Sequence, residues 1–317
     1  MNQISQIISE VKKAVVGKDR VLIWVMTVIL ARGHILLEDI PGVGKTTMAL
    51  AFSRALGLDY GRVQFTPDVL PSDITGYSIY NKDTGEMRYQ PGAILCNLFL
   101  ADELNRATSR TQSALLEAME EGKVTVDGQT MPVPDPFMVI ATQNPAGYVG
   151  TYPLPEAQLD RFAIKLSMGY PTATEEISII RARKTDNPLA GVRSVLSADT
   201  LRDIRSMMTD VRIDDALYTY IVTLVTATRR HPSLALGASP RASVALVHLS
   251  QAYAFLHGRD YVIPDDIAAL FRPAIAHRLA LRQEAKLTHQ TATEILGEIL
   301  RTTEVPYKGK RDAAARN

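Results

Sequence analysis

The stretch His34-Ile-Leu-Leu-Glu-Asp-Ile-Pro-Gly-Val-Gly-Lys-Thr-Thr constrains what this chain can fold into more than any other. A short apolar run passes into a helical pattern through a turn made of Pro41, Gly42, Val43, Gly44, Lys45, Thr46 and Thr47. Glycines let successive backbone N–H groups turn inward toward phosphate oxygens. Lys45 can reach the β- and γ-phosphates, and the Thr46 hydroxyl can hold Mg²⁺. The turn is of the Walker A type in its strand–turn–helix context, although Asp39 stands where the full pattern has Gly. A dinucleotide fingerprint fits less well, because Thr47 occupies the place of its third glycine.

Apolar runs at 34–37, 62–66, 95–100, 137–142 and 162–166 alternate with segments long enough for crossover helices. That alternation predicts an α/β fold, a mostly parallel sheet with helices on both faces. The texture changes at Tyr170 and Pro171. Thr172 and Glu175 are spaced as a capping box, and further helices are expected over 197–210, 214–231, 239–257 and 264–281. Ser239-Pro240 is a strong helix start, since Ser caps free N–H groups and Pro at the first position loses nothing by lacking one. With 317 residues, about two domains are expected: a nucleotide-binding core over 1–170 and a helical domain over 171–317, ending in a short basic tail from 308.

Composition narrows the function. Thirty-five Lys and Arg against 34 Asp and Glu leave a net charge of +1, so no bulk field draws the chain to nucleic acid or anionic lipid. Cys96 is the one cysteine, which excludes an internal disulfide, and the six His show no zinc-ligand spacing. The apolar stretch 21–31 is about half the length of a membrane-spanning helix, and the first twenty residues lack the apolar core of a secretory signal. A cytoplasmic protein with no membrane insertion is expected.

Hydrolysis needs carboxylates beside the phosphates, and Leu98-Phe-Leu-Ala-Asp-Glu supplies an apolar run ending in two acids, 57 residues after Lys45. In this Walker B arrangement Asp102 would bind Mg²⁺ and Glu103 would polarise the attacking water. The next apolar run ends at Asn144-Pro145, where an amide can hydrogen-bond both water and γ-phosphate. Arg161 precedes the last apolar run, and Arg241 lies in the first turn of the helix opened by Ser239-Pro240.

These motifs in this order resemble the AAA+ ATPases. The blocks Leu37-Glu-Asp-Ile-Pro-Gly-Val-Gly-Lys-Thr, Ala101-Asp-Glu-Leu-Asn-Arg-Ala, Ala141-Thr-Gln-Asn-Pro, Tyr152-Pro-Leu-Pro-Glu-Ala-Gln-Leu-Asp-Arg-Phe and Gly237-Ala-Ser-Pro-Arg-Ala are similar to the MoxR branch. The resemblance runs from about Val15 to Arg278. It implies a P-loop core followed by a helical lid, a hexameric ring, and ATP held between neighbours. Arg161 would then act as a finger on the next subunit's γ-phosphate, Asn144 as a sensor, Arg241 as the second sensor of the lid, and Val16 and Gly17 as the flank of the adenine. It also accounts for two hairpins. One surrounds Asp127-Gly128 and resembles the pre-sensor hairpin. The other spans 74–92 and resembles the insert in the second helix, and both would face the pore or the substrate.

The function expected from this resemblance is ATP-driven, chaperone-like remodelling, assembly or metal-cofactor insertion, with a partner carrying a von Willebrand factor A domain and a client that the residues do not name. Three alternatives stand beside it. A chelatase subunit or enzyme activase shares both hairpins. An ATP-gated scaffold with little hydrolysis would require neither Glu103 nor Asn144. A nucleic-acid motor is disfavoured by the near-zero charge.

Overall fold

The computed structural model describes residues 2–83, 85–145, 151–185 and 187–307. The basic tail expected from 308, and Thr84 within the hairpin expected over 74–92, lie outside them. The chain divides into two compact units, Met1–Phe162 with Leu166–Arg205 and Ala163–Lys165 with Ser206–Asn317. Where the sequence changes texture at Tyr170, the division between units falls some 35 residues later, between Arg205 and Ser206.

In chain order the first part comprises α1 (Asn2–Lys12), α2 (Asp19–Leu30), β1 (Ile35–Glu38), α3 (Lys45–Ala55), β2 (Tyr60–Gln64) and α4 (Pro71–Thr75). A hairpin of β3 (Gly76–Asn81) and β4 (Glu86–Pro91) follows, then β5 (Leu98–Asp102) and α5 (Ser109–Glu121). A second hairpin, β6 (Lys123–Val126) with β7 (Gln129–Pro132), leads to β8 (Met138–Gln143), α6 (Glu156–Leu159), β9 (Ile164–Leu166), α7 (Ala173–Thr185) and α8 (Ala198–Met207). Five strands form a parallel sheet in the order β2-β5-β8-β1-β9.

Ile35, Leu36 and Leu37 of β1, Leu98 to Ala101 of β5 and Met138 to Ala141 of β8 are all buried, as strands covered on both faces must be. Phe65, Phe99, Leu115, Leu116, Val139 and Phe162 form the core on one face of the sheet. The sequence pattern starts the third run at 95, whereas β5 starts at Leu98. Asn97 explains the shift: its amide accepts from the Asp59 N–H at 3.1 Å and donates to the Pro136 carbonyl at 2.8 Å. One side chain thus pins the starts of three neighbouring strands.

Both hairpins are present. Asp127 (φ 49°) and Gly128 (φ 78°) both adopt the left-handed conformation that a two-residue hairpin turn of this type requires. On the β3–β4 hairpin, Tyr77, Ile79, Tyr80 and Met87 are exposed.

The second unit is helical: α9 (Asp215–Arg230), α10 (Pro240–Leu256), α11 (Pro264–Ile275), α12 (Gln283–Leu287) and α13 (Ala292–Thr302), where α10 packs on α9 and α11, and α13 on α9 and α11. It also holds a short ribbon, β10 (Leu234–Leu236) with β11 (Ala280–Leu281). The helix expected over 264–281 therefore stops at Ile275, two residues after Pro273, and its last residues turn into the ribbon. No helix among the described residues is long and apolar enough to cross a membrane.

Candidate functional site

Parallel register brings the ends of three strands to one edge of the sheet. Glu38 pairs with Gln143, Leu37 with Thr142 and Ala101 with Ala141, so the chain leaves β1, β5 and β8 side by side. Asp39, Asp102, Glu103 and Asn144 are the first residues at or beyond those ends.

The turn after β1 is shaped by two glycines in the left-handed region, Gly42 (φ 87°) and Gly44 (φ 95°), a conformation that costs glycine little. A Cβ at either would meet nothing within 4 Å, so the space above the turn is open. Lys45, the first residue of α3, is only 8% exposed and donates from Nζ to the carbonyls of Asp39 (2.9 Å) and Ile40 (3.4 Å). Burial holds its ammonium below the ordinary lysine range, while the carboxylates of Asp39, Asp102 and Glu103 pull the other way. Pro41 is exposed, and Thr46 and Thr47 are half-buried in the first turn of α3.

The two acids after β5 are each held. Asp102 accepts from Arg62 Nη2 at 2.7 Å and from Thr142 Oγ1 at 2.7 Å, and the Glu103 N–H donates to the same Thr142 oxygen at 2.8 Å. Thr142 of β8 thereby latches the end of β5. Glu103 adopts φ 57°, a left-handed conformation that a non-glycine residue takes only where its surroundings enforce it. Its carboxylate accepts from Arg106 Nη1 at 3.2 Å. Asn144 is buried, and its backbone exchanges two hydrogen bonds with the Asn105 side chain, 3.1 and 3.3 Å.

Asp39 does not face the turn's interior. Its carboxylate accepts from Ser167 Oγ (3.0 Å), the Gly169 N–H (3.1 Å) and the Met168 N–H. Beside the turn lies a cleft of about 590 Å³ whose lining includes Val15, Val16, Gly42, Gly44, Met168 and Pro171. Gly17 follows Val16 with φ 68°, a left-handed conformation that suits glycine, and a Cβ there would press on the Glu175 carboxylate.

Arg161 Nη2 pairs with Glu120 Oε2 at 3.0 Å. Glu120 lies at the far end of α5, about 16 Å of helix from Ser109, which starts near the acids. Arg241 is exposed in the first turn of α10, within the second unit. The structure thus brings together Lys45, Asp102 and Glu103, sets Asn144 beside them, and does not bring Arg161 to them within one chain. Arg62, Thr142 and Arg106 were missed from sequence. Only the order β2-β5-β8 shows the first two to be neighbours of Asp102.

The donor set fits a nucleotide with Mg²⁺. The start of an eleven-residue helix, an open glycine turn and a buried ammonium suit phosphates. Among the described residues, no group of three or more His, Cys, Asp or Glu could hold a metal alone. The Thr46 hydroxyl and the Asp102 carboxylate would supply two oxygens, donors of the kind Mg²⁺ takes when phosphates and water complete its shell.

Fold and site together define a P-loop NTPase with a helical lid. Residues 34–164 match the family described as ATPase family associated with various cellular activities (AAA), and residues 226–299 match the AAA lid domain. The chain is 50% identical over 305 residues to the uncharacterized protein YeaC of Bacillus subtilis, covering 96% of this chain and 95% of that one. It is 39% identical over 315 residues to Chaperone MoxR1 of Mycobacterium tuberculosis, covering 96% and 83%. A crystal structure of a candidate ATPase from Cytophaga hutchinsonii superposes with a TM-score of 0.90 at 39% identity, covering 96% and 95%. The chain belongs to the MoxR family of AAA+ ATPases.

Proposed function

We propose that this chain binds ATP and Mg²⁺ at the β1–α3 turn and hydrolyses the γ-phosphate as a cytoplasmic hexameric ring. The energy drives chaperone-like remodelling, assembly or metal-cofactor insertion of client proteins, with a partner bearing a von Willebrand factor A domain. The observation that carries the reading is the convergence of a buried Lys45 with Asp102 and Glu103 at one sheet edge. The chaperone element rests on the relative Chaperone MoxR1.

In this reading Pro41, Gly42, Val43, Gly44 and Thr47 cradle the phosphates, and Val16 and Gly17 flank the adenine. Lys45 neutralises the β- and γ-oxygens as charge develops on them. Thr46 and Asp102 would hold Mg²⁺, which would offset charge on the phosphates. Glu103 takes the proton of the attacking water and Asn144 orients that water. Arg161 serves a neighbour's nucleotide, because its ion pair at the far end of α5 puts it away from its own chain's acids. Arg241 serves as the second sensor.

Phosphate release tests the roles. Lys45→Ala and Glu103→Gln should each lower turnover about a hundredfold or more, with Glu103→Gln still binding ATP. Arg161→Ala should lower it about a thousandfold. Undiminished turnover in these three variants would overturn the assignments.

A further inference from the structure

The buried carboxylate of Asp39, at the position where the general turn has glycine, is 5% exposed and takes three donors from one short segment, 128 to 130 residues away. A desolvated carboxylate tolerates burial only when its oxygens are satisfied, and two of these donors are backbone N–H groups that cannot turn elsewhere without moving the chain. Met168, held by one of them, lines the cleft, and so does Pro171 just beyond.

The same segment is stitched at its other end. Lys18, which also lines the cleft, donates from Nζ to the Tyr170 carbonyl at 2.8 Å. Glu175 accepts from the Thr172 N–H at 2.8 Å, lies 3.9 Å from Lys18 Nζ, and packs where a Cβ of Gly17 would go. Residues 167–175 therefore form a strap, tied to Asp39 at one end and to Lys18 at the other, that lends Met168 and Pro171 to the lining of the cleft. Asp39 is its anchor on the phosphate side, for the Asp39 carbonyl accepts from Lys45 Nζ at 2.9 Å.

We propose, resting on the reading of this cleft as an ATP site, that Asp39 is a positioning residue for the base of the nucleotide. It touches neither phosphate nor base. Its carboxylate holds the strap, and the strap sets the wall against which the nucleoside packs. A glycine at position 39 leaves the phosphate-binding turn intact and releases the wall.

The test is calorimetric titration of the full chain, in Mg²⁺, with two probes: the non-hydrolysable ATP analogue AMP-PNP and inorganic tripolyphosphate, which carries phosphates and no nucleoside. Asp39→Gly should lose about tenfold or more in affinity for AMP-PNP, while tripolyphosphate affinity is kept or raised, because a carboxylate acting on Lys45 has gone. Ser167→Ala removes one donor of the three and should lose about threefold for AMP-PNP alone. Fluorescence melting of the sole tryptophan, Trp24, checks that each variant is folded. Should Asp39→Gly not fold, Ser167→Ala decides. Equal losses for both probes, or unchanged AMP-PNP affinity in both variants, would overturn the proposal. If the wild-type chain bound neither probe, the ATP reading itself would fall and take this inference with it, and that failure shows before any variant is measured.

Discussion

The Val139 N–H donates to His34 Nδ1 at 3.0 Å, and the ring's Nε2 meets the Met119 carbonyl at 3.1 Å. An N–H donor on Nδ1 requires that nitrogen to be unprotonated, so the proton sits on Nε2 and the neutral ring bridges β8 and α5 at the foot of β1. Burial, with Arg205 nearby, pushes the His34 pKa down to about 4. In the unfolded chain the ring titrates near its ordinary value. The unfolded state thus binds the extra proton between these limits, and the stability contribution, whole above about pH 6.5, is lost as pH falls toward 4. Urea unfolding followed through Trp24 should show wild type losing up to about 3 kcal/mol more than His34→Asn between pH 7.5 and 4. Parallel pH profiles for the two proteins would remove this role. At this scale, Lys45, Asp102 and Glu103 are legible in the sequence because each sits in a local pattern with its own chemistry. Arg62 and Thr142 are not, since each meets Asp102 from 40 residues away through a strand order that no local pattern encodes. The clamp formed by Asp39 escapes for the same reason: the departure from glycine is visible, and its partners are not.

Elements were legible where periodicity and caps agree. The helix expected over 214–231 is α9, and that over 239–257 is α10, each within a residue of its caps. The sheet strands fell within a few residues, except that β5 slid toward its acids because Asn97 holds the preceding turn. The ribbon β10–β11 was not foreseen, because strands of two and three residues carry no period. The start of α13 carries a signal of the same kind: Thr291 and Glu294 form a reciprocal capping box at 3.2 and 2.8 Å. The start of α11 offers a measurable consequence. Asp266, 2% exposed, takes both arms of Arg259 at 2.7 and 2.6 Å and the Ile263 N–H at 2.9 Å. Asp266→Ala leaves the guanidinium facing a void, and it should destabilise the second unit by about 3–5 kcal/mol in urea unfolding. A change below 1 kcal/mol would show the fork to be ornamental.

For the whole molecule, the decisive question is which chain completes which site. If Arg161 serves a neighbour, mixing two dead variants should restore work: Lys45→Ala subunits supply the arginine, and Arg161→Ala subunits supply the intact phosphate turn. Phosphate release from the mixture should rise at least about tenfold above either variant alone. A mixture as inert as its parents would place Arg161 in the service of its own chain.

The bond between Arg161 and Glu120 bears on how such assemblies come and go. A guanidinium already paired with a carboxylate at home does not create a wholly fresh attraction on leaving; it trades one anion for another, and the net gain is the difference between them. If Arg161 does serve a neighbour, its side chain then adds little to the stability of the assembly, and that small contribution weakens further with salt.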